Sequence, residues 1–178
     1  MRIVSGKYKG KRFDVPNSFK ARPTTDFAKE SLFNILMNNY VDFEEYPSAL
    51  DLFSGTGSIS LEFLSRGCSN VVSIEKDYKH WQYLKRICTE LGDKKWKPLH
   101  ADVFKYVERQ TDQFDIIFAD PPYSLKNLGD IPEIIFSNDI LASGGIFVLE
   151  HGKDYDFSDN QRFVDHRSYG SVNFSFFK

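Results

Sequence analysis

From Pro47 onward, short apolar runs alternate with stretches of helical periodicity, and acids stand at or near the ends of four successive runs. Ala49 to Phe53, Val71 to Ile74, Lys97 to Ala101, Phe114 to Ala119 and Gly145 to Leu149 have strand length, whereas Ser58 to Arg66 and Tyr78 to Leu91 suit helices. Strands separated by helices pair in parallel, with helices covering both faces of the sheet. Near the end, Gln161 to Ser168 and Ser171 to Phe177 meet at Tyr169-Gly170, a link short enough only for antiparallel pairing. The expectation is an α/β fold whose sheet has five parallel strands and a closing C-terminal hairpin.

The acids matter because open α/β sheets bind ligands at the carboxyl ends of their strands. Asp51, Glu75, Asp102 and Asp120 fall there in chain order. After the first strand comes Phe53-Ser54-Gly55-Thr56-Gly57-Ser58, a glycine turn opening a helix. Gly55 and Gly57 remove side chains where backbone and ligand approach, and the turn aims amides from a helix N-terminus. The third glycine of a dinucleotide fingerprint is absent, since Ser60 takes its place. Glu75, about twenty residues on, suits a pair of ribose hydroxyls. Asp102 could accept from an adenine amino group, with Val103 and Phe104 bordering the ring. Phe53, Ser54 and Lys76, beside these residues, complete the candidate cofactor set with Asp120. Acids favour a ligand carrying a sulfonium and an ammonium and repel a pyrophosphate, so the expected cofactor is S-adenosylmethionine.

Asp120-Pro121-Pro122-Tyr123 follows the fourth run. A nucleobase amine is a poor nucleophile because its lone pair is delocalised into the ring. A carboxylate from Asp120 and the carbonyl of Pro121 can each accept one N–H and favour a pyramidal nitrogen. The Pro-Pro pair stiffens the loop, and Tyr123 offers a face on which a base can stack for about 1–3 kcal/mol. Asp120, Pro121 and Tyr123 are therefore the candidate catalytic residues.

Charge is divided along the chain. Residues 1–22 carry Arg2, Lys7, Lys9, Lys11, Arg12, Lys20 and Arg22 against Asp14 alone, a net +6, which leaves −8 on the remainder. A basic arm on an acidic body fits one edge that meets nucleic-acid phosphate. Arg2 to Ser5 and Arg12 to Val15 read as two strands around Gly6-Lys7-Tyr8-Lys9-Gly10, a β-hairpin arm over 1–22 preceding a single domain over 23–178. Arg2, Lys7, Lys9, Lys11, Arg12, Arg22, Thr24, Tyr123 and Lys126 form the candidate substrate-binding set. Arg22-Pro23-Thr24-Thr25-Asp26 reads as a helix start, a Thr cap with Asp26 in the first turn before Phe27, Ala28, Leu32, Ile35 and Leu36 at helical spacing. Two cysteines, four scattered histidines, and no signal-like or spanning apolar segment predict a cytoplasmic monomer without metal or membrane association.

With these residues placed, the chain resembles the RsmD-like family of bacterial 16S rRNA (guanine-N2)-methyltransferases over essentially its whole length. The resemblance is carried by Arg2-Ile3-Val4-Ser5-Gly6 with Gly10-Lys11-Arg12-Phe13, by Arg22-Pro23-Thr24-Thr25-Asp26 with Glu30-Ser31-Leu32-Phe33-Asn34, and by Asp51-Leu52-Phe53-Ser54-Gly55-Thr56-Gly57, Ser65-Arg66-Gly67 and Asp120-Pro121-Pro122-Tyr123. It implies a class I methyltransferase, Rossmann-like seven-stranded sheet, a basic arm on ribosomal RNA, and N2-methylguanine as product, with an assembled small subunit as the favoured substrate. Ser54 and Thr56 stand where related chains often have Ala and Ser. A DNA adenine-N6 methyltransferase shares the amine chemistry but usually needs an added sequence-reading region. A protein glutamine methyltransferase usually has Asn in place of Asp120. A non-catalytic RNA-binding ribosome assembly factor, or an NAD-dependent oxidoreductase, stays open at this point.

Overall fold

The computed structural model describes residues 1–19 and 25–178. Its strands are β1 (Ser48–Leu52), β2 (Asn70–Glu75), β3 (Trp96–His100), β4 (Phe114–Ala119), β5 (Leu141–His151), β6 (Phe163–Tyr169) and β7 (Val172–Phe177). They form one sheet in the order β3-β2-β1-β4-β5-β7-β6. The first five are parallel, and β7 runs antiparallel to both β5 and β6. The helices are α1 (Asp26–Asn39), α2 (Ser58–Ser65), α3 (Tyr78–Leu91), α4 (Val103–Arg109) and α5 (Ile131–Ser137).

Side-chain alternation along the strands builds two cores. Ala49, Val71, Ile116, Phe118, Ile146 and Val148 point to the face covered by α1, α2 and α3, where Leu32, Phe33, Phe63 and Leu84 are buried. Leu50, Leu52, Val72, Ile74, Ile117 and Leu149 point to the other face, closed by Val103 and Val107 of α4 and Ile131 and Ile135 of α5. Each fully buried aliphatic side chain contributes about 1.5–3 kcal/mol. Caps set the helix starts: Thr25 accepts from Ala28 N, Asp77 from Lys79 N and His80 N, and Asp102 from Phe104 N and Lys105 N. The chain leaves β1 in one direction towards β2 and β3, then returns to place β4 on its other side. The reversal opens a crevice above β1 and β4, flanked by the glycine turn and Asp120.

Two expectations change. The fifth strand begins at Leu141 rather than Gly145, because Ser143-Gly144-Gly145, which looks like a turn, stays within β5 while its pairing with β4 shifts register between Phe114 and Ile116. The arm is no two-stranded ladder. Among its described residues only Arg2 and Arg12 form an antiparallel bridge, with flanking bonds Ile3 N to Lys11 O, Gly10 N to Ile3 O and Phe13 N to Met1 O. Other backbone groups of the arm go to α2 instead. Val4 N donates to Glu62, Lys7 N to Ser65 O, Tyr8 N to Ser65 Oγ, and Ser5 O accepts from Ser65 Oγ. A Cβ on Gly6 would lie 1.9 Å from Ser65 O, so the close approach requires glycine there. Ile3 and Phe13 complete the docking by entering the core on the α1–α3 face.

Candidate functional site

Phe53 (φ 61°), Gly55 (φ 53°) and Gly57 (φ 75°) all lie in the left-handed region, which turns the chain sharply from β1 into α2. For a bulky residue such as Phe53 that conformation costs about 1–3 kcal/mol, a strain typical of ligand-holding turns. The two glycines do different work. A Cβ on Gly57 would come within 2.6 Å of Leu84, so this glycine packs α2 against α3. A Cβ on Gly55 would meet only Phe53 O, at 3.9 Å, so its side towards the crevice is open. Ser54 is buried, its hydroxyl donating to Asp51 O at 2.7 Å. Phe53 meets Phe104 edge-on at 6.1 Å, forming an apolar wall beside the buried Val103.

Asp51 sits deeper than the other candidate acids. It is 2% exposed and accepts from Ser60 N at 3.1 Å and from Ser60 Oγ, so it ties α2 to β1 from within. Burial pushes its carboxyl up to about 7, opposed by the Ser60 bonds and assisted by the charges of Asp120 and Glu75. Glu75 accepts from Gly55 N at 2.7 Å and Asp77 N at 2.6 Å, bracing the glycine turn across the crevice. Asp102 caps α4 and pairs with Lys76 at 2.9 Å; that bond holds its carboxyl below the usual range. Lys76 itself is largely exposed.

The Asp120 end has a different character. Asp120 follows β4 and Glu150 lies near the end of β5, one step beyond the paired Ala119 and Leu149. Both carboxyls are pushed well above their usual values, each by burial first, and for Glu150 also by the charge of Asp120. Glu150 is 5% exposed; its Oε1 lies 3.4 Å from the Tyr123 hydroxyl and its Oε2 is buried with no hydrogen-bond partner. Pro121 is buried, and the exposed Pro122 closes the loop by accepting from Leu125 N at 2.8 Å. Tyr123 is 44% exposed, with Gly152 beside its ring.

Among the candidate substrate residues, Arg2 pairs with Asp26 at 3.0 Å and Lys7 with Asp93 at 2.8 Å. Lys9, Lys11, Arg12 and Lys126 are exposed. Arg22 and Thr24 lie outside the described residues. Thus Asp51, Glu75, Asp120 and the glycine turn gather at one crevice, with Asp102 and Lys76 on its rim, while the arm is bonded to α2 through its backbone. Glu150 was missed by sequence reading, yet it repeats the signal that singled out the other acids, since it follows the apolar run Gly145 to Leu149. Lys29 and Glu62 were also missed. They form a buried ion pair at 3.4 Å between α1 and α2, reinforced by Lys29 Nζ to Arg2 O at 2.6 Å and Arg66 Nε to Glu62 Oε2 at 3.3 Å.

A family model described as conserved hypothetical protein 95 matches residues 1–178. Ribosomal RNA small subunit methyltransferase D of Escherichia coli strain K12 is 30% identical over 150 residues, covering 84% of this chain and 74% of the relative. The protein of that name from Haemophilus influenzae is 30% identical over 158 residues, covering 86% of this chain and 80% of its own length. Among solved structures, a hypothetical protein of Thermus thermophilus superimposes with a TM-score of 0.86 at 26% identity, covering 100% of this chain and 99% of that one.

Proposed function

The chain belongs to the conserved hypothetical protein 95 family, the RsmD-like methyltransferases, and on that premise we propose that it methylates the exocyclic N2 amine of a guanine in small-subunit ribosomal RNA. The cofactor is S-adenosylmethionine. The observation that carries the reading is Asp120, half-buried with its carboxyl raised by desolvation, held by a Pro-Pro loop beside a glycine turn at the crevice of the sheet. The donor set fits the cofactor: Glu75 keeps lone pairs for two hydroxyls after accepting its two amides, Gly55 leaves room over the turn, and the acids suit a cationic ligand. Asp102, Val103 and Phe53 border the place for an adenine ring, while Asp51 acts from beneath by holding the turn in shape.

When bound, the cofactor supplies an electrophilic methyl carbon and takes back the electron pair of the broken sulfur–carbon bond. Asp120 and the Pro121 carbonyl each accept one N–H of the guanine amine and aim its lone pair at that carbon. Tyr123 stacks on the base, which leaves its helix or loop at a cost of a few kcal/mol. As the nitrogen–carbon bond forms, one amine proton becomes acidic and leaves to Asp120 or water. Lys9, Lys11, Arg12 and Lys126 hold phosphates around the entry, and Arg22 and Thr24 belong to the same proposed set.

The test supplies radiolabelled cofactor with small subunits, naked 16S rRNA and DNA, and digests the products for nucleoside mass spectrometry. N2-methylguanosine in the ribosomal RNA is expected. N6-methyladenine in DNA, with unlabelled RNA, contradicts the reading.

A further inference from the structure

We infer that Glu150 reads the Watson–Crick edge of the target base, accepting the N1–H of guanine at its Oε2 while Asp120 and Pro121 hold the N2 amine. The inference rests on the guanine-N2 reading above and deepens it by assigning the residue that separates guanine from other amine-bearing purines.

A carboxylate oxygen that is buried and has no partner is costly, and such atoms persist in native proteins where a ligand completes them. Glu150 Oε2 is such an atom, on a residue only 5% exposed. Its position is set by the sheet. Ala119 of β4 pairs with Leu149 of β5, so the next residues, Asp120 and Glu150, follow the same pair of parallel strands into the crevice. Oε1 is near the Tyr123 hydroxyl at 3.4 Å, which places the carboxyl beside the ring on which the base stacks. Gly152 adjoins that ring, where a Cβ would stand 3.5 Å from Tyr123 Cδ2, in ordinary van der Waals contact.

Guanine is the base whose edge suits this arrangement. It presents N1–H and two N2–H groups side by side, three donors in a row, and the site offers three acceptors in Glu150 Oε2, Asp120 and the Pro121 carbonyl. Adenine and 2-aminopurine carry an amine next to a bare N1, whose lone pair would face the carboxylate oxygen. Burial beside Asp120 favours the protonated acid while no base is present, and an arriving N–H favours the acceptor form. A mismatch of this kind costs roughly ten- to hundredfold in discrimination.

The experiment uses reconstituted small subunits whose 16S rRNA carries either guanine or 2-aminopurine at the methylated position, both of which keep the N2 amine. The wild-type enzyme should favour guanine by about ten- to hundredfold in kcat/KM. Glu150→Gln is nearly isosteric; its amide oxygen can still accept from guanine N1–H, and its NH2 can donate to the bare N1. It should retain guanine turnover within about tenfold while the preference over 2-aminopurine shrinks at least tenfold. A preference unchanged by the substitution, or a parallel fall on both substrates, would mean that Glu150 only supports the fold or Tyr123, and would overturn the inference. Wild-type enzyme that methylates neither RNA would overturn the guanine-N2 reading itself, an outcome distinct from the other two.

Discussion

Two buried polar clusters, one between α1 and α2 and one at the ends of β4 and β5, are built in opposite ways. Around Lys29 and Glu62 the groups are matched. The ammonium meets Glu62, Arg2 O and Ser58 Oγ, and the carboxylate also takes Val4 N and Arg66 Nε. Around Asp120 and Glu150, two acids act on each other with no ion pair to either among the described residues, and one oxygen has no partner. The first cluster is complete in the folded chain and joins the arm, α1 and α2. The second is left incomplete, as a site is when a ligand carries the missing donors. Burial of polar groups alone therefore does not mark function; the mark is an unmet acceptor beside Asp120 at the carboxyl ends of the strands, since Asn70 Oδ1 at the start of β2 and Tyr83 OH on α3 are also unmet.

Breaking the clusters should produce different losses. The largest effect is expected for Asp120→Ala, with methyl transfer to small-subunit RNA falling about a thousandfold or more while the melting temperature and much of the RNA affinity persist. Single-turnover assays beside filter binding measure both, and normal turnover in this variant contradicts the amine-holding role. Lys29→Met should do the reverse. Leaving Glu62 buried without its cation costs about 3 kcal/mol or more, which lowers the melting temperature by roughly 6–12 °C. The double variant Lys29→Met with Glu62→Leu should recover much of that loss, and failure to recover would show that the ion pair is more than a matched burial.

The third test sharpens the contrast through pH. The folded-state values of Asp120 and Glu150 lie above their unfolded ones, so folded protein binds protons more tightly there. Their contribution to stability is full below the usual carboxylate range and is lost as pH rises through the raised values. Glu150→Gln removes one of these ionisations. Its melting temperature should match wild type near pH 4 and exceed it near pH 8, by about 2–12 °C for a gain of roughly 1–3 kcal/mol. A difference that is constant with pH contradicts the raised carboxyl.

Much of the fold was legible because backbone periodicity and caps are local. The bounds of α3 follow from Asp77 at its start and Gly92 (φ 64°) at its end, and the carboxyl-edge acids follow from strand length. The direction of a buried side chain is not local. Asp51 reads like the other acids in the sequence, yet Ser60 engages it from below. The arm reads as a hairpin by composition, yet α2 takes the backbone groups a ladder would need. Glu150 follows an apolar run as Asp120 does, but its value lies in an unpartnered oxygen, which only the packed structure reveals.

The smallest effect concerns the arm. Among the described residues of the arm, Arg2 and Lys7 already face Asp26 and Asp93, and Lys9, Lys11 and Arg12 stand exposed for phosphate. Those three should contribute about −2 to the log–log salt slope of RNA binding, and Lys11→Ala should reduce the magnitude of the slope by about 0.7. An RNA affinity that does not change with salt removes the arm from the RNA interface.

The central claim is that an Asp-Pro-Pro-Tyr crevice methylates a guanine amine of ribosomal RNA. Its most direct test is nucleoside mass spectrometry of small-subunit RNA from cells lacking this gene, with and without the gene restored. Loss of one N2-methylguanosine, and its return on restoration, is the predicted result; an unchanged set of methylated guanosines contradicts it.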